Sequence, residues 1–280
     1  MRALVSAVVG GLAAAAAMRL LRAHPPGGTA RWERTNHAGA TVTLLEGPAY
    51  AAGAAAGAAL LGAGPGPVLA TTAAAGLGAL DDLRGDSASK GFKGHLGALA
   101  RGEVTTGAVK IVGLAVTGVS AAALVEAQAR RDARHGHDGT GPRGIPAVAD
   151  TLVGGAVVAG MANLLNLLDL RPGRALKAAV LVGALTATSD GSAAAAGAAV
   201  GAAASLLPSD LAGEAMLGDT GANAAGALLG TALLQRTGRR GRLVALTVLT
   251  ALTLASEKVS FTQVIESTPV LRELDALGRR

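Results

Sequence analysis

Apolar residues run in blocks of membrane length along nearly the whole chain, separated by short polar joints. Blocks rich in Ala, Gly, Val and Leu fill positions 3–21, 48–64, 66–82, 104–126, 147–169, 174–189, 191–207, 221–235 and 242–257. A helix needs roughly 20 predominantly apolar residues to cross a bilayer, with about 17 as a lower limit. These blocks predict an all-α fold, a polytopic transmembrane bundle of about 9–10 helices. Gly64-Pro65-Gly66-Pro67 breaks the chain between the second and third blocks, and Ser189-Asp190-Gly191 does so between the sixth and seventh, so each pair reads as a helical hairpin. Beyond position 257 the pattern changes: Val264, Ile265, Val270, Leu271, Leu274 and Leu277 are interleaved with charges. Residues 1–257 therefore form the membrane unit, and 258–280 form a short amphipathic tail that lies on the membrane or covers one face of the bundle.

The first block follows Arg2 and has the small residues of a signal peptide. Arg19, Arg22, Arg31 and Arg34 outweigh Arg2, so the expectation is an uncleaved helix with its N-terminus outside. Alternation then puts loops 22–47, 83–103, 170–174 and 208–220, and the tail, in the cytoplasm. Asp81, Asp82, Asp169 and Asp219 all fall on that side. The Arg-rich loops 127–146 and 236–242 fall outside, against the positive-inside trend. The expected location is the inner (plasma) membrane, crossed many times, with the active site facing the cytoplasm.

Composition narrows the chemistry. Half of the 280 residues are apolar, and the absence of cysteine removes disulfides, thiolate catalysis and cysteine-held zinc. With four aromatics in all, no aromatic belt marks the interfaces. A formal charge of +6 suits anionic headgroups and phosphorylated ligands, and no motif for reading or stacking on nucleic acid is present.

Polar clusters close or open several apolar blocks. Asp81 and Asp82 end the third, pointing about 100° apart on a helix. They are either an interfacial acid pair capping a helix or a pair in which one faces a metal and the other a lysine or phosphate. Lys90-Gly-Phe-Lys93-Gly-His95 and Lys110 follow them; carboxylates beside a basic Gly-rich loop suit a metal–diphosphate ligand, although such cations are also a common interfacial feature. Asn166 and Asp169 share a helical face at the end of the fifth block, with Asn163 one turn earlier. Asn163 serves either the site or a bond to a neighbouring helix, and Asp169 either the site or a pairing with Arg171 or Arg174. Asp219, in Gly218-Asp219-Thr220-Gly221, is either an N-cap or an acid that a metal–phosphate group can approach closely. Arg34 and His37 in the first loop either meet phosphate or are solvated.

In combination, these motifs resemble those of the polyprenyl-phosphate sugar-1-phosphate transferases, the membrane family that includes the muramoyl-pentapeptide phosphotransferase and the N-acetylglucosamine-1-phosphate transferases. Gly78-Ala-Leu-Asp81-Asp82 is similar to the family's Gly-Phe-Xaa-Asp-Asp. Asn163-Leu-Leu-Asn166-Leu-Leu-Asp169 is similar to Asn-Ala-Xaa-Asn-Leu-Xaa-Asp-Gly, and Met216-Leu-Gly-Asp219-Thr-Gly-Ala-Asn223 to Phe-Met-Gly-Asp-Xaa-Gly-Ser. The stretch from Arg34 to Gly47 resembles the Arg…His-Xaa-Gly…Gly of the first cytoplasmic loop. The motifs come in the family's order over residues 30–225.

The resemblance implies transfer of sugar 1-phosphate from a UDP-sugar to an undecaprenyl-type polyprenyl phosphate, with release of UMP, in cell-envelope glycan synthesis. It implies Mg²⁺ held by Asp219, with Asp81, Asp82, Asn166 and Asp169 catalytic around the reacting phosphates. Lys110, Arg34, His37, Lys90 and Lys93 would bind substrate. The partners expected are the UDP-sugar, the polyprenyl phosphate, membrane lipids and, as an option, a second copy of the chain in a homodimer; nucleic acid is not among them. The chain departs from the family where a histidine cluster is usual: Ser256-Glu-Lys-Val-Ser-Phe-Thr-Gln263 has none, and Leu170 replaces the glycine after Asp169. Two other readings stay open, a catalytically silent homologue acting as an envelope scaffold and an ion-coupled transporter.

Overall fold

The computed structural model describes residues 1–36, 39–84, 102, 105–135 and 145–279. The nine apolar blocks become nine helices: α1 (Arg2–Ala23), α2 (Glu46–Leu60), α3 (Pro65–Arg84), α4 (Thr106–His135), α5 (Ile145–Leu168), α6 (Arg174–Thr186), α7 (Ala193–Leu211), α8 (Gly218–Arg236) and α9 (Arg239–Ser256). The tail adds α10 (Phe261–Ser267) and α11 (Pro269–Ala276). The protein is an all-α helical bundle of membrane character.

Helix α8 is the axis of the bundle. It packs on α2, α3, α4, α5, α6 and α7. Its residues are buried almost all the way round, from Gly218 through Leu234, as expected of a helix with no solvent-facing stripe. The outward faces carry large apolar side chains instead of charges: Leu4, Val8 and Leu12 on α1, Val112 and Val116 on α4, Leu181 and Leu185 on α6, Val244 and Val248 on α9. A water-soluble bundle would bury such residues, whereas a lipid-facing one leaves them outside. Helices α1, α4, α5 and α7 are each long and apolar enough to cross a membrane. The pair α9–α10, bent by 94°, is a fifth candidate. At 15 and 13 residues, α2 and α6 are shorter than a full crossing.

Small residues let backbones meet. Helices α1 and α7 touch at Gly197 and Gly201, where an added methyl would overlap the backbone of Ala3 and Ala7. Tight packing replaces the hydrophobic driving force that lipid cannot supply. The Ala and Gly excess is thus used structurally at these crossings.

The first loop holds structure that its sequence did not announce. β1 (Glu33–Thr35) pairs antiparallel with β2 (Thr41–Thr43). The Thr43 N–H donates to Glu214 O at 3.2 Å and Met216 N–H donates to Thr43 O at 3.0 Å. The small hairpin thereby fixes the segment just before α8. The tail docks at the same end: Arg174 meets Asp275, Lys177 donates to the carbonyl of Asp275 at 2.6 Å, and Arg279 to that of Pro172 at 2.9 Å. The tail thus packs against the start of α6 and the turn before it.

Candidate functional site

Alternation of the helices brings the C-terminal ends of α3 and α5 to the N-terminal ends of α4 and α8, and the polar clusters meet there. Asp81 and Asp82 close α3, Lys110 opens α4, Asp169 follows α5, and Asp219 opens α8. The Lys110 ammonium donates to Asp81 Oδ2 at 2.8 Å and also to Asp219 Oδ2. Asn166 Nδ2 donates to Asp219 Oδ1. The carboxyl groups of Asp81 and Asp219 thus converge on one ammonium group. Two like charges that converge in this way repel, and the Lys110 ammonium between them offsets the repulsion.

Asp82 does something different. Its Oδ1 accepts from the Asp219 N–H at 3.0 Å, and its Oδ2 from the Thr220 N–H at 2.9 Å and the Thr220 hydroxyl at 2.6 Å. The first N–H groups of a helix lack intrahelical partners and carry partial positive charge, so a carboxylate there satisfies both needs. Leu217, at the N-cap position of α8, makes no side-chain cap bond; Asp82 caps that helix from α3. Asp219 is therefore not its own helix's cap. Arg34 donates to the Asp82 backbone carbonyl, tying the β-hairpin to the end of α3.

Two glycines permit this approach. A Cβ on Gly78 would overlap the Asp219 carbonyl. Gly218 has φ +59° and a Cβ there would lie 3.0 Å from Asp82 Oδ2; its left-handed backbone strains any other residue, and the tight contact presses on the Asp82 carboxylate.

A second acid group lies beside the first. Asp169 is buried and pairs with neither expected arginine: Arg171 meets Glu266 at 3.2 Å, and Arg174 meets Asp275 at 2.7 Å. Asp210, at the end of α7 and 2% exposed, accepts from the Gly173 N–H at 3.0 Å. Glu46, at the start of α2, is fully buried, and neither carboxylate oxygen has a hydrogen-bond partner among the described residues. It lies within electrostatic reach of Asp210 and Asp169.

Two cavities flank these acids. One, of about 240 Å³, is bordered by Thr35, Asn36, Asp169, Arg171, Asp210 and Met216, beneath the β-hairpin. The other, of about 190 Å³, lies between α4, α5, α8 and α9; Lys110, Asn166, Asn163 and Asn223 line its polar side, and Ile111 and Leu114 its apolar one. The run Asn163–Asn166–Asp169 borders both, so the acid cluster stands between them. Asn163 also donates to Thr253 on α9 at 3.1 Å, the interhelical bond that was one of its two readings.

Asp81 and Asp219 are hard oxygen donors, and Mg²⁺ is commonly held by one or two carboxylates with the rest of its shell from water and substrate phosphates. In this structure the oxygens that would take the ion are engaged: Lys110 donates to Asp81 Oδ2 and Asp219 Oδ2, and Asn166 to Asp219 Oδ1. Among the described residues no group of three or more acidic or histidine side chains is placed to hold a metal ion.

Of the residues singled out from sequence, the structure brings together Asp81, Asp82, Lys110, Asn166, Asp169 and Asp219, with Arg34 at the edge. His37, Lys90 and Lys93 lie outside the described residues. Glu46, Asp210 and Asn223 were missed. Asp210 carried the same signal as Asp169, an acid closing an apolar block, but lies three positions past the end assigned to that block. Glu46 and Asn223 stood inside motif stretches without a role of their own. No protein-family model and no curated protein matches the chain.

Proposed function

We propose that the protein is a membrane phosphotransferase of the polyprenyl-phosphate sugar-1-phosphate transferase type, moving a sugar 1-phosphate from a UDP-sugar to a polyprenyl phosphate. The observation that carries this reading is an acid and lysine cluster standing between two cavities of different character. The cavity under the hairpin, with Asn36, Asp169, Arg171 and Asp210, suits the polar nucleotide donor. The cavity between α4, α5, α8 and α9 has apolar walls beside a lysine, and suits the head of a lipid phosphate.

The lipid phosphate oxygen attacks the sugar-bearing phosphorus of the donor. A new phosphorus–oxygen bond forms, the bond to the bridging oxygen breaks, and UMP leaves with the electron pair. A phosphate monoester has its second pKa at about 6, so the nucleophile is already mostly dianionic at neutral pH and needs no strong base. What the reaction needs is charge screening, because two anions must meet. Lys110 supplies a fixed cation at that point, and Asn166 holds the Asp219 carboxylate in orientation. Asp219 and Asp81 would hold Mg²⁺ where Lys110 gives up its bonds to them for the phosphates, and the ion would supply Lewis-acid neutralisation of the phosphate oxygens. Asp82 contributes by fixing the start of α8, on which Asp219 rides.

The deciding experiment incubates purified protein with polyprenyl phosphate, Mg²⁺ and a panel of UDP-sugars, and looks by mass spectrometry for lipid-linked sugar and by chromatography for UMP. Asp219→Asn should lower product formation by about a hundredfold or more while membrane expression is kept, the scale typical of losing a transition-state electrostatic contact. Full activity in that variant removes the metal assignment. A second reading, a silent homologue that binds the nucleotide without turnover, is favoured by the missing histidines in 256–263. Mg²⁺-dependent uridine nucleotide binding with no product would select it.

A further inference from the structure

Asn223 is 1% exposed and lines the cavity between α4, α5, α8 and α9, yet neither its Nδ2 nor its Oδ1 has a hydrogen-bond partner among the described residues. Buried side-chain amides are normally satisfied, and one left open faces either a ligand or a water. Its neighbour Asn163 is different, being already engaged by Thr253. Asn223 lies four residues after Asp219 on α8, so both project from one face of the helix, Asn223 one turn deeper. Lys110 borders the same cavity and opens it toward the acid cluster. Asn166 and Thr253 also line it, the first donating to Asp219 and the second accepting from Asn163, and Ile111, Leu114, Ala159 and Gly160 make up its apolar remainder. A ligand that satisfies all of this has an anionic end, a polar atom within one helical turn of that end, and an apolar body.

Resting on the transferase reading above, we propose that Asn223 is an acceptor-positioning residue. Its amide N–H groups donate to the ester or a non-bridging oxygen of the lipid phosphate whose charge meets Lys110, while Oδ1 accepts from a water carried in with the anion. The apolar walls take the first carbons of the lipid. Donor nucleotide does not use this residue, because its cavity lies on the other side of the acids. The residue thus separates acceptor recognition from donor recognition.

The test measures equilibrium binding of farnesyl phosphate and of uncharged farnesol to purified wild-type protein and to Asn223→Leu, together with the KM for each substrate. Wild type should prefer farnesyl phosphate. Asn223→Leu should lose about tenfold or more of its affinity for farnesyl phosphate, the scale of one hydrogen bond to a charged group. Farnesol binding and the KM for UDP-sugar should stay unchanged, while the KM for the lipid acceptor rises. Asn223→Ala gives the same readout should the larger side chain prevent folding. A variant that binds farnesyl phosphate as tightly as wild type overturns the proposal alone, and the amide then serves a structural water. A wild-type protein with no preference for farnesyl phosphate over farnesol overturns the transferase reading and this one together.

Discussion

Asp82 makes three hydrogen bonds to the first residues of α8, and its neighbour Asp81 makes one to Lys110. Adjacent in sequence and identical in chemistry, the two acids therefore have different duties. Removing the Asp82 carboxylate leaves two N–H groups at a helix start without an acceptor, at a cost of about 1–3 kcal/mol for an unsatisfied buried group. Asp82→Ala should accordingly lower the thermal midpoint of the detergent-purified protein more than Asp81→Ala does. It should also lower turnover, because Asp219 shifts with the helix start. Equal midpoints for the two variants would contradict the division of roles.

At the scale of elements, the site depends on how closely α3 approaches α8. Gly78 lies one turn before Asp82, and a methyl there would overlap the Asp219 carbonyl. Gly78→Ala forces the two helices apart in a packed interior, which typically costs about 1–3 kcal/mol. The expected result is a lower melting point and a loss of transferase activity larger than the loss of folded protein, read from the same preparation. Gly76, which faces open space on the same helix, supplies the control: Gly76→Ala should be neutral or mildly stabilising.

On the scale of the whole molecule, the tail is held to the bundle by a buried charge pair. Arg174 donates to both Asp275 oxygens, at 2.7 and 2.9 Å, and Arg279 meets the same carboxylate at 2.8 Å. Burial by itself would push the Asp275 carboxyl up, but the hydrogen bonds and charges of Arg174 and Arg279 outweigh it and hold the group below its ordinary 3.8. A depressed carboxyl contributes stability that is present above the ordinary value and is lost as pH falls through the depressed one. Docking of 258–280 should therefore be constant from neutral pH down to about 4 and weaken below it. Hydrogen exchange of α11 against pH checks this, and Asp275→Asn should expose the tail at neutral pH as well.

Much of this architecture was legible along the chain. Apolar block length gave nine helices at nearly their observed positions, because in a bilayer every backbone group must be satisfied within its own segment and length follows from thickness. The acids at the ends of those blocks were readable for a related reason: charges are costly in the middle of a span, so they collect at its ends. Alternation of the blocks along the chain is enough to place Asp81, Asp82, Asp169 and Asp219 at one end. What sequence could not distribute were the roles. That Asp82 caps another helix, that Asp169 ignores both nearby arginines, and that Glu46 and Asn223 are buried without hydrogen-bond partners among the described residues all depend on which residues far apart in the chain become neighbours. Those identities are set by three-dimensional packing, where a single methyl at Gly78 decides whether α3 and α8 can meet, and no local pattern encodes that distance.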